Sequence, residues 1–525
     1  MLRPPEDLRE FLERLEAAGE LLRVRQEVDP HNFEIAAFIR HSENAANQAV
    51  LFERVRGYDA PVVANLYGSI RRCAMAAGVE PSAADLARLR RDPRASAGGL
   101  ASFSVDGYTL SETDRVGAAL LRERIVAAEL AASQGEFPLA VVEHPPCQEV
   151  VHRGNVHYAD LFPTPMLCEG DAAHFINPGG LIQRDPDSGV LNVGCHRHQV
   201  DVSRYGRGRI GARTGEFTDG WRIFRKYEER GEDCPAALCI GLDPVSELLN
   251  CYTSPHLFGD RPYSELNSAG AIYGHSLPMA RCVSIDLEVP ASSEIVIEGI
   301  MPAGGRVEEG PMAEYTDLVH GHGAWPFLEI TAITHRRNPY CHVLLSGRSE
   351  EHRVLSIITG WGMEEGLVAR ARRHFPNVVD AAFFPGSHIS HAVVSFKKRY
   401  EDEERQLAHY LLSTNWFKFL TLVDDDVDPH NAEEVEWARG MRIGQPDQVI
   451  VLPRMRTWAL DPLCDEQQRV TKVAFLATRP FGQRYVRTGP PAAVLAATAA
   501  AFEEARQAQA TAPRPQATLQ EIIGR

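Results

Sequence analysis

The chain has 525 residues, 44% hydrophobic and 24% charged, with a formal net charge of −16 at pH 7. That length calls for two or three domains, and the acidic balance argues against a nucleic-acid or anionic-membrane partner while still allowing a locally basic pocket. The opening MLRPPEDLREFL lacks an apolar leader, no run of eighteen apolar residues occurs, and the ten cysteines form no CxxC pair, so the expectation is a cytoplasmic chain with reduced thiols and no transmembrane helix.

Leu8, Phe11, Leu12 and Leu15 recur at three- and four-residue spacing, predicting an amphipathic helix ended by Gly19 and followed by a strand over Leu21–Val24. Residues 60–135 alternate apolar segments with Ala-rich helical ones, an α/β pattern. Pro, Gly and Asp mark Asn177 to Gly189 as turns. Cys195 and Cys282 fall in strand-like runs and read as core. Val283, Ile285, Leu287 and Val289 alternate with polar residues, and Ile295 and Ile297 alternate with Glu294, Val296 and Glu298. That period of two predicts antiparallel strands with one wet face, on which Glu294 and Glu298 point to solvent.

After about residue 345 the α/β rhythm returns. Leu407, Tyr410 and Leu411 predict a short helix behind the charged Glu401–Arg405 run. Phe419–Val423 predicts a buried parallel strand, with Asp424, Asp425 and Asp426 as its end turn rather than a metal site. The chain reads as helical from Pro490, with residues 505–518 as a mobile linker before a short tail helix. No internal repeat is present.

Three groups of segments could carry chemistry. The first is Pro146-Cys147-Gln148-Glu149-Val150-Val151 with Leu191-Asn192-Val193-Gly194-Cys195-His196-Arg197. The second is Tyr263-Ser264-Glu265 leading to Ala269-Gly270-Ala271. The third runs from Asp286-Leu287-Glu288-Val289-Pro290-Ala291 through Glu294–Gly299 to Glu309-Gly310-Pro311-Met312-Ala313-Glu314. Asn192 and Glu265 offer hard oxygen ligands suited to a divalent ion that also binds phosphate. Strand alternation would put Asn192 and Arg197 on opposite faces, and a bulge at Gly194 would bring them together. Glu309 and Glu314 flank Gly310-Pro311, so they sit on a turn or loop. Of two such carboxylates, one beside Arg197 stays ionised, while one in an apolar pocket is raised and can donate a proton. Taken singly, Arg197 reads as a surface ion-pair residue, Glu308, Glu309, Glu314 and Asp317 as a solvated acidic loop, and Lys418 as a strand-start charge. His320 and His322, in a Gly-rich loop, are weak evidence of a pocket.

Together, in order and spacing, these motifs resemble the UbiD family of decarboxylases. The likeness runs from L-x-x-F-L-x-x-L-E-A-A-G-E-L at Leu8 to the Asp424–Asp428 segment. The resemblance implies a mixed α/β multidomain fold: an α/β N-terminal region (1–120), a central split-barrel-like flavin-binding domain (121–340), a C-terminal α/β dimerisation domain (341–504) and a tail (505–525). It implies prenylated FMN held between the central and C-terminal domains, bound by Asn192, Val193, Gly194, Cys195, His196, Arg197, Glu265 and Lys418. Lys418 would reach the phosphate, a role that suits a lysine's point charge. Asn192 and Glu265 would ligate manganese or magnesium, with K+ nearby. Glu314 would be the proton donor, supported by Glu309 and Arg197. The reaction would be non-oxidative, reversible decarboxylation of an aromatic, heteroaromatic or α,β-unsaturated acid. A flavin prenyltransferase would supply the cofactor, and the enzyme would be a homodimer or homohexamer.

One departure stands out. UbiD relatives usually supply a histidine as a third metal ligand after the arginine, whereas Arg209–Glu216 reads RIGARTGE. Glu216 or Thr214 could replace it, while His196 and His198 flank Arg197 and are expected to point away from it. The departure raises a second reading, a non-catalytic auxiliary subunit with weakened cofactor binding. A third, an ordinary flavin oxidoreductase, has no GxGxxG after a strand to support it.

Overall fold

The computed structural model describes residues 2–86, 104, 105, 108, 109, 111–154, 156–216, 218–253, 263–384, 386–458, 460–483, 485, 488–490 and 492–511. Residues 1–478 form one compact unit and residues 479–525 a second. Among the described residues no helix is long and apolar enough to cross a membrane.

The first helix, Leu8–Ala17, starts where the Asp7 carboxylate accepts the Glu10 N–H, and it buries Leu8, Phe11, Leu12 and Leu15 as the spacing predicts. Leu21–Val24 opens a four-stranded sheet in the order Leu21–Val24, Ala49–Phe52, Val62–Ala64, Cys341–Val343. The last of these strands comes from the far end of the central region, so N-terminal and central segments share one sheet.

A seven-stranded antiparallel sheet organises the central region. Its order is Arg209–Gly211, Phe327–His335, Ile295–Met301, Cys234–Ile240, His174–Arg184, Leu191–Val200, with Val150–Arg153 also paired to Phe327–His335. The two ends of this order meet, because Arg197 and Arg213 form an antiparallel bridge. Ile295 and Ile297 enter one core, with Leu238 and the N-terminal sheet, while Val296 enters another with the first helix.

Both faces of Ile295–Met301 are therefore covered, which overturns the expected wet face. Glu294 and Glu298 are fully buried. Glu294 takes a two-point ion pair from Arg9 at 2.8 and 2.9 Å, a contact from Arg336 at 3.3 Å and the Tyr340 N–H at 3.1 Å. Glu298 accepts the N–H groups of Val283 and Ser284 at 2.9 and 2.8 Å. Those bonds turn residues 282–287 away from a ladder, so only Glu288–Pro290 of the predicted Cys282–Val289 strand forms. Cys282 is only partly buried, packed against the edge of a core.

The predicted turn region from Asn177 likewise differs. His174–Arg184 is one long strand, and only residues 185–189 turn. Gly179 and Gly180 are there for packing: a Cβ would lie 2.6 Å from Leu238 Cδ1 at the first and 2.8 Å from Leu242 Cδ1 at the second.

The C-terminal part carries a five-stranded sheet in the order Val378–Phe383, His391–Phe396, Phe419–Asp424, Arg469–Ala477, Val449–Arg456. Phe419–Asp424 lies parallel to both neighbours, as its apolar run predicts. Asp424 and Asp426 are held by Arg442 at 2.7 and 2.8 Å, so the aspartate run is an ion-paired strand end. Glu403–Leu412 is helical, with Leu407 and Leu411 buried. In the second unit Ala492–Thr511 is one helix, which corrects the linker expected from residue 505; residues 512–525 lie outside the described ones.

The long helix Glu350–Arg372 packs closely on the chain at Thr253 through Gly362, where a Cβ would lie 1.6 Å from the Thr253 carbonyl oxygen. Gly362→Ala is expected to destabilise the protein by about 2–3 kcal/mol, as overpacking does. Thr253 and Met363 line the cavity described next, so its shape should change as well. Urea unfolding of the variant checks the loss of stability.

Candidate active site

A cavity of about 310 Å³ opens where the central region faces the long helix and the C-terminal sheet. Asn192, Val193, Gly194, Cys195, His196 and Arg197 all border it. Leu191–Val200 ends the sheet order, so consecutive residues reach the cavity along its edge. The strand stays regular at Gly194, and the expected bulge lies instead on its neighbour, between Ile176 and Gly179. Cys195 thus faces the cavity and not the core.

Arg197 is buried, at 8% exposure, and not a surface residue. Its Nε and Nη2 donate to the two oxygens of Glu309 at 2.9 and 3.0 Å, a bidentate pair. Its Nη1 donates to Glu314, and Nη2 also donates to the Gly321 carbonyl at 2.6 Å. Glu309 ends the short strand Val307–Glu309, and Glu314 follows Met312–Ala313, with a cis Gly310–Pro311 bond between the two strands. Glu309 is 1% and Glu314 8% exposed, so the acidic segment is not a solvated loop at these positions. The expected division between a paired carboxylate and one in an apolar pocket is absent, because both contact Arg197.

A second buried arginine completes the set. Arg213 lies 3.7 Å from Glu314 and 4.0 Å from Glu309, donates to the Gly321 carbonyl at 3.0 Å, and stands 4.5 Å over the Trp325 ring. Burial, and then the nearby Arg197, push it down to about 10. The Gly-rich loop therefore contributes its Gly321 carbonyl; His320 and His322 are not on the cavity wall.

At another part of the cavity lie Asn192 and Glu265, both buried. Glu265 opens the helix Glu265–Tyr273, capped by Ser264, and its carboxylate accepts the Val193 N–H at 3.3 Å. His196 also borders the cavity, and desolvation pushes it down to about 4, so it is neutral at pH 7. His198 is turned away, its Nδ1 2.9 Å from the Gly211 carbonyl. Of the expected replacements for the missing histidine, Glu216 borders the cavity but pairs with Arg456 at 2.9 Å. Thr214 is buried off the cavity wall. Lys418 is off the wall too and pairs with Asp461 at 2.9 Å. Leu355, Met363, Ile389, Trp416, Trp458 and Leu460 form an apolar side.

Three lining residues escaped the sequence analysis. Arg213 lies inside RIGARTGE, where no local pattern sets it apart. Asp219 opens the helix Asp219–Arg230 just beyond it, where Thr218-Asp219 has the form of a helix start. Asn250 ends a buried helix with both side-chain amide atoms unpartnered, and no local pattern marks it.

A buried arginine clamped by two carboxylates thus stands at a cavity with a polar and an apolar side. Models of the three domains of 3-octaprenyl-4-hydroxybenzoate carboxy-lyase match the chain: the N-terminal domain over residues 12–90, the Rift-related domain over 140–349 and the C-terminal domain over 357–477. An uncharacterized protein of Archaeoglobus fulgidus is 31% identical over 87% of this chain and 88% of its own. The UbiD-class enzyme HmfF from Pelotomaculum thermopropionicum, in complex with FMN, is 32% identical, with 92% and 97% of the two chains covered and a TM-score of 0.71. The vanillic acid decarboxylase of Sedimentibacter hydroxybenzoicus, in closed form, is 26% identical, with coverage of 97% and 99% and a TM-score of 0.77. The chain belongs to the UbiD family of carboxy-lyases.

Proposed function

We propose that the protein removes carbon dioxide, reversibly and without net oxidation, from an aromatic, heteroaromatic or α,β-unsaturated carboxylic acid, with prenylated FMN as cofactor. The observation that carries this reading is the buried Arg197–Glu309–Glu314 set on the cavity wall. The residues present fit such a cofactor. Asn250 presents an unpartnered amide, a donor and an acceptor suited to a polar ring edge, and the Asn192 amide and Glu265 carboxylate suit a hard cation beside a phosphate. When bound, the flavin supplies the electron sink for the charge left by departing carbon dioxide.

The chain's own residues do the rest. Arg197 holds the substrate carboxylate near the sink, and the apolar side around Trp416 and Trp458 takes the unsaturated body and excludes water. Glu309, bidentate on Arg197, fixes the guanidinium, and Glu314 delivers a proton to the carbon that has lost its carboxylate. Asn192 and Glu265 would hold manganese or magnesium, with K+ nearby, and Lys418 would reach the phosphate on exchanging Asp461 for it. A flavin prenyltransferase would supply the cofactor. A cytoplasmic homodimer or homohexamer, built through the C-terminal domain, completes the reading.

The test is to co-express the chain with a flavin prenyltransferase, supply manganese, magnesium and potassium, then record absorbance and the mass of the released cofactor. Prenylated flavin should be present, and lost from Asn192→Ala and Glu265→Ala. Colourless protein would refute the enzyme reading and favour an auxiliary subunit.

A further inference from the structure

We infer that Arg213 is a second receptor for the substrate carboxylate, and that the negative charge arriving beside it draws a proton onto Glu314. The inference rests on reading this cavity as the decarboxylase site, and it addresses what the geometry leaves open. A proton donor must hold a proton, yet Glu314 lies in an ion pair with Arg197.

The charges balance in the set as it stands: Arg197 and Arg213 against Glu309 and Glu314. The two carboxylates are not equivalent. Glu309 spends both oxygens on Arg197 in a bidentate pair, whereas Glu314 makes one contact to Arg197 and approaches Arg213 only to 3.7 Å. Arg213 is correspondingly under-used. Among the described residues its hydrogen bond is to the Gly321 carbonyl, and its guanidinium borders the cavity over Trp325. A guanidinium carries five N–H donors, so capacity remains for an anion.

A substrate carboxylate arriving between the two arginines brings a third negative charge into a buried site. Three carboxylates against two arginines is costly where water is excluded, and protonating one carboxylate removes the excess. Glu314 is the one to change, because releasing it breaks one contact while releasing Glu309 breaks a bidentate pair. The proton comes from solvent and stays on the Glu314 carboxylate, ready for the carbon.

The other groups facing this set do not take over its role. His320, lowered by burial and by both arginines, is neutral, and Tyr205 and Tyr315 are raised by burial and remain protonated. Asp461 is engaged by Lys418. Asp171, raised by burial while accepting the Ala313 N–H at 2.7 Å, is a competing proton site.

Benzoate, a carboxylate without a reactive alkene, is the probe. FMN is first added to the full-length protein and its binding read by absorbance, which tests the cofactor reading by itself. Benzoate is then titrated calorimetrically at pH 7 in buffers of low and high ionisation enthalpy. About one proton should be taken up per benzoate, with affinity falling about tenfold for each pH unit above neutrality. Arg213→Met should weaken benzoate at least tenfold, Arg213→Lys should restore part of that affinity, and Glu314→Gln should abolish the proton uptake. Binding without proton uptake, no benzoate binding, affinity unchanged in Arg213→Met, or uptake that survives Glu314→Gln would overturn the inference. Survival in Glu314→Gln would point to Asp171 as the acceptor.

Discussion

Glu314→Gln is expected to slow decarboxylation by about a thousandfold, the scale on which a positioned general acid acts. Glutamine keeps an oxygen that accepts from Arg197 Nη1, so the buried arginine is not left bare and the fold should hold. Flavin content and thermal midpoint should match the parent, because Glu314 lies apart from Asn192 and Glu265 in function. The measurement is carbon dioxide release by cofactor-loaded protein, with the absorbance spectrum as control. Activity within tenfold of the parent would remove Glu314 from the proton-donor role and leave Asp171, raised by burial and accepting the Ala313 N–H of the same segment, as the carboxyl group to examine next.

The second large effect concerns stability and not chemistry. Glu294→Gln should cost about 3 kcal/mol, because it removes the fully buried carboxylate between Arg9 and Arg336 and leaves Asp7, 2.9 Å from Arg336, as the remaining carboxylate of the cluster. Arg9 is one-third exposed, which lets water recover part of the loss; Arg336 is 13% exposed and cannot be resolvated as readily. The experiment is urea unfolding followed by tryptophan fluorescence and circular dichroism, with the midpoint compared between the two proteins. A glutamate on a solvent-facing strand would give a change within about 0.5 kcal/mol. Such a small change would mean that the buried ion pair does not form in solution.

These two residues show where sequence patterns lead and where they mislead. Alternation around Ile295 and Ile297 is real, but it says only that successive side chains face opposite ways. Whether the second face is wet depends on what is packed there, and here the first helix and the segment 282–287 cover it. A charged residue on a covered face then requires a partner, and Glu294 finds Arg9, 285 residues away along the chain. The glycines and proline after Asn177 mislead in a similar way. They have the composition of a turn, yet they serve a strand that bulges and lies close against Leu238 and Leu242.

By itself the sequence determined the elements whose code is local: the first helix from its apolar spacing, the Phe419–Asp424 strand from its apolar run, and the family from the order of motifs around Asn192, Arg197, Glu265, Glu309 and Glu314. The tertiary structure alone decided how those motifs act on one another. It brought Arg213 beside Arg197 through a bridge between the two ends of the sheet order, placed both carboxylates in the same ion-pair set, and tied Glu216 to Arg456. The physical reason is that burial and charge pairing are properties of space. A residue's partners come from whichever strands the sheet brings together, and no spacing along the chain encodes that distance.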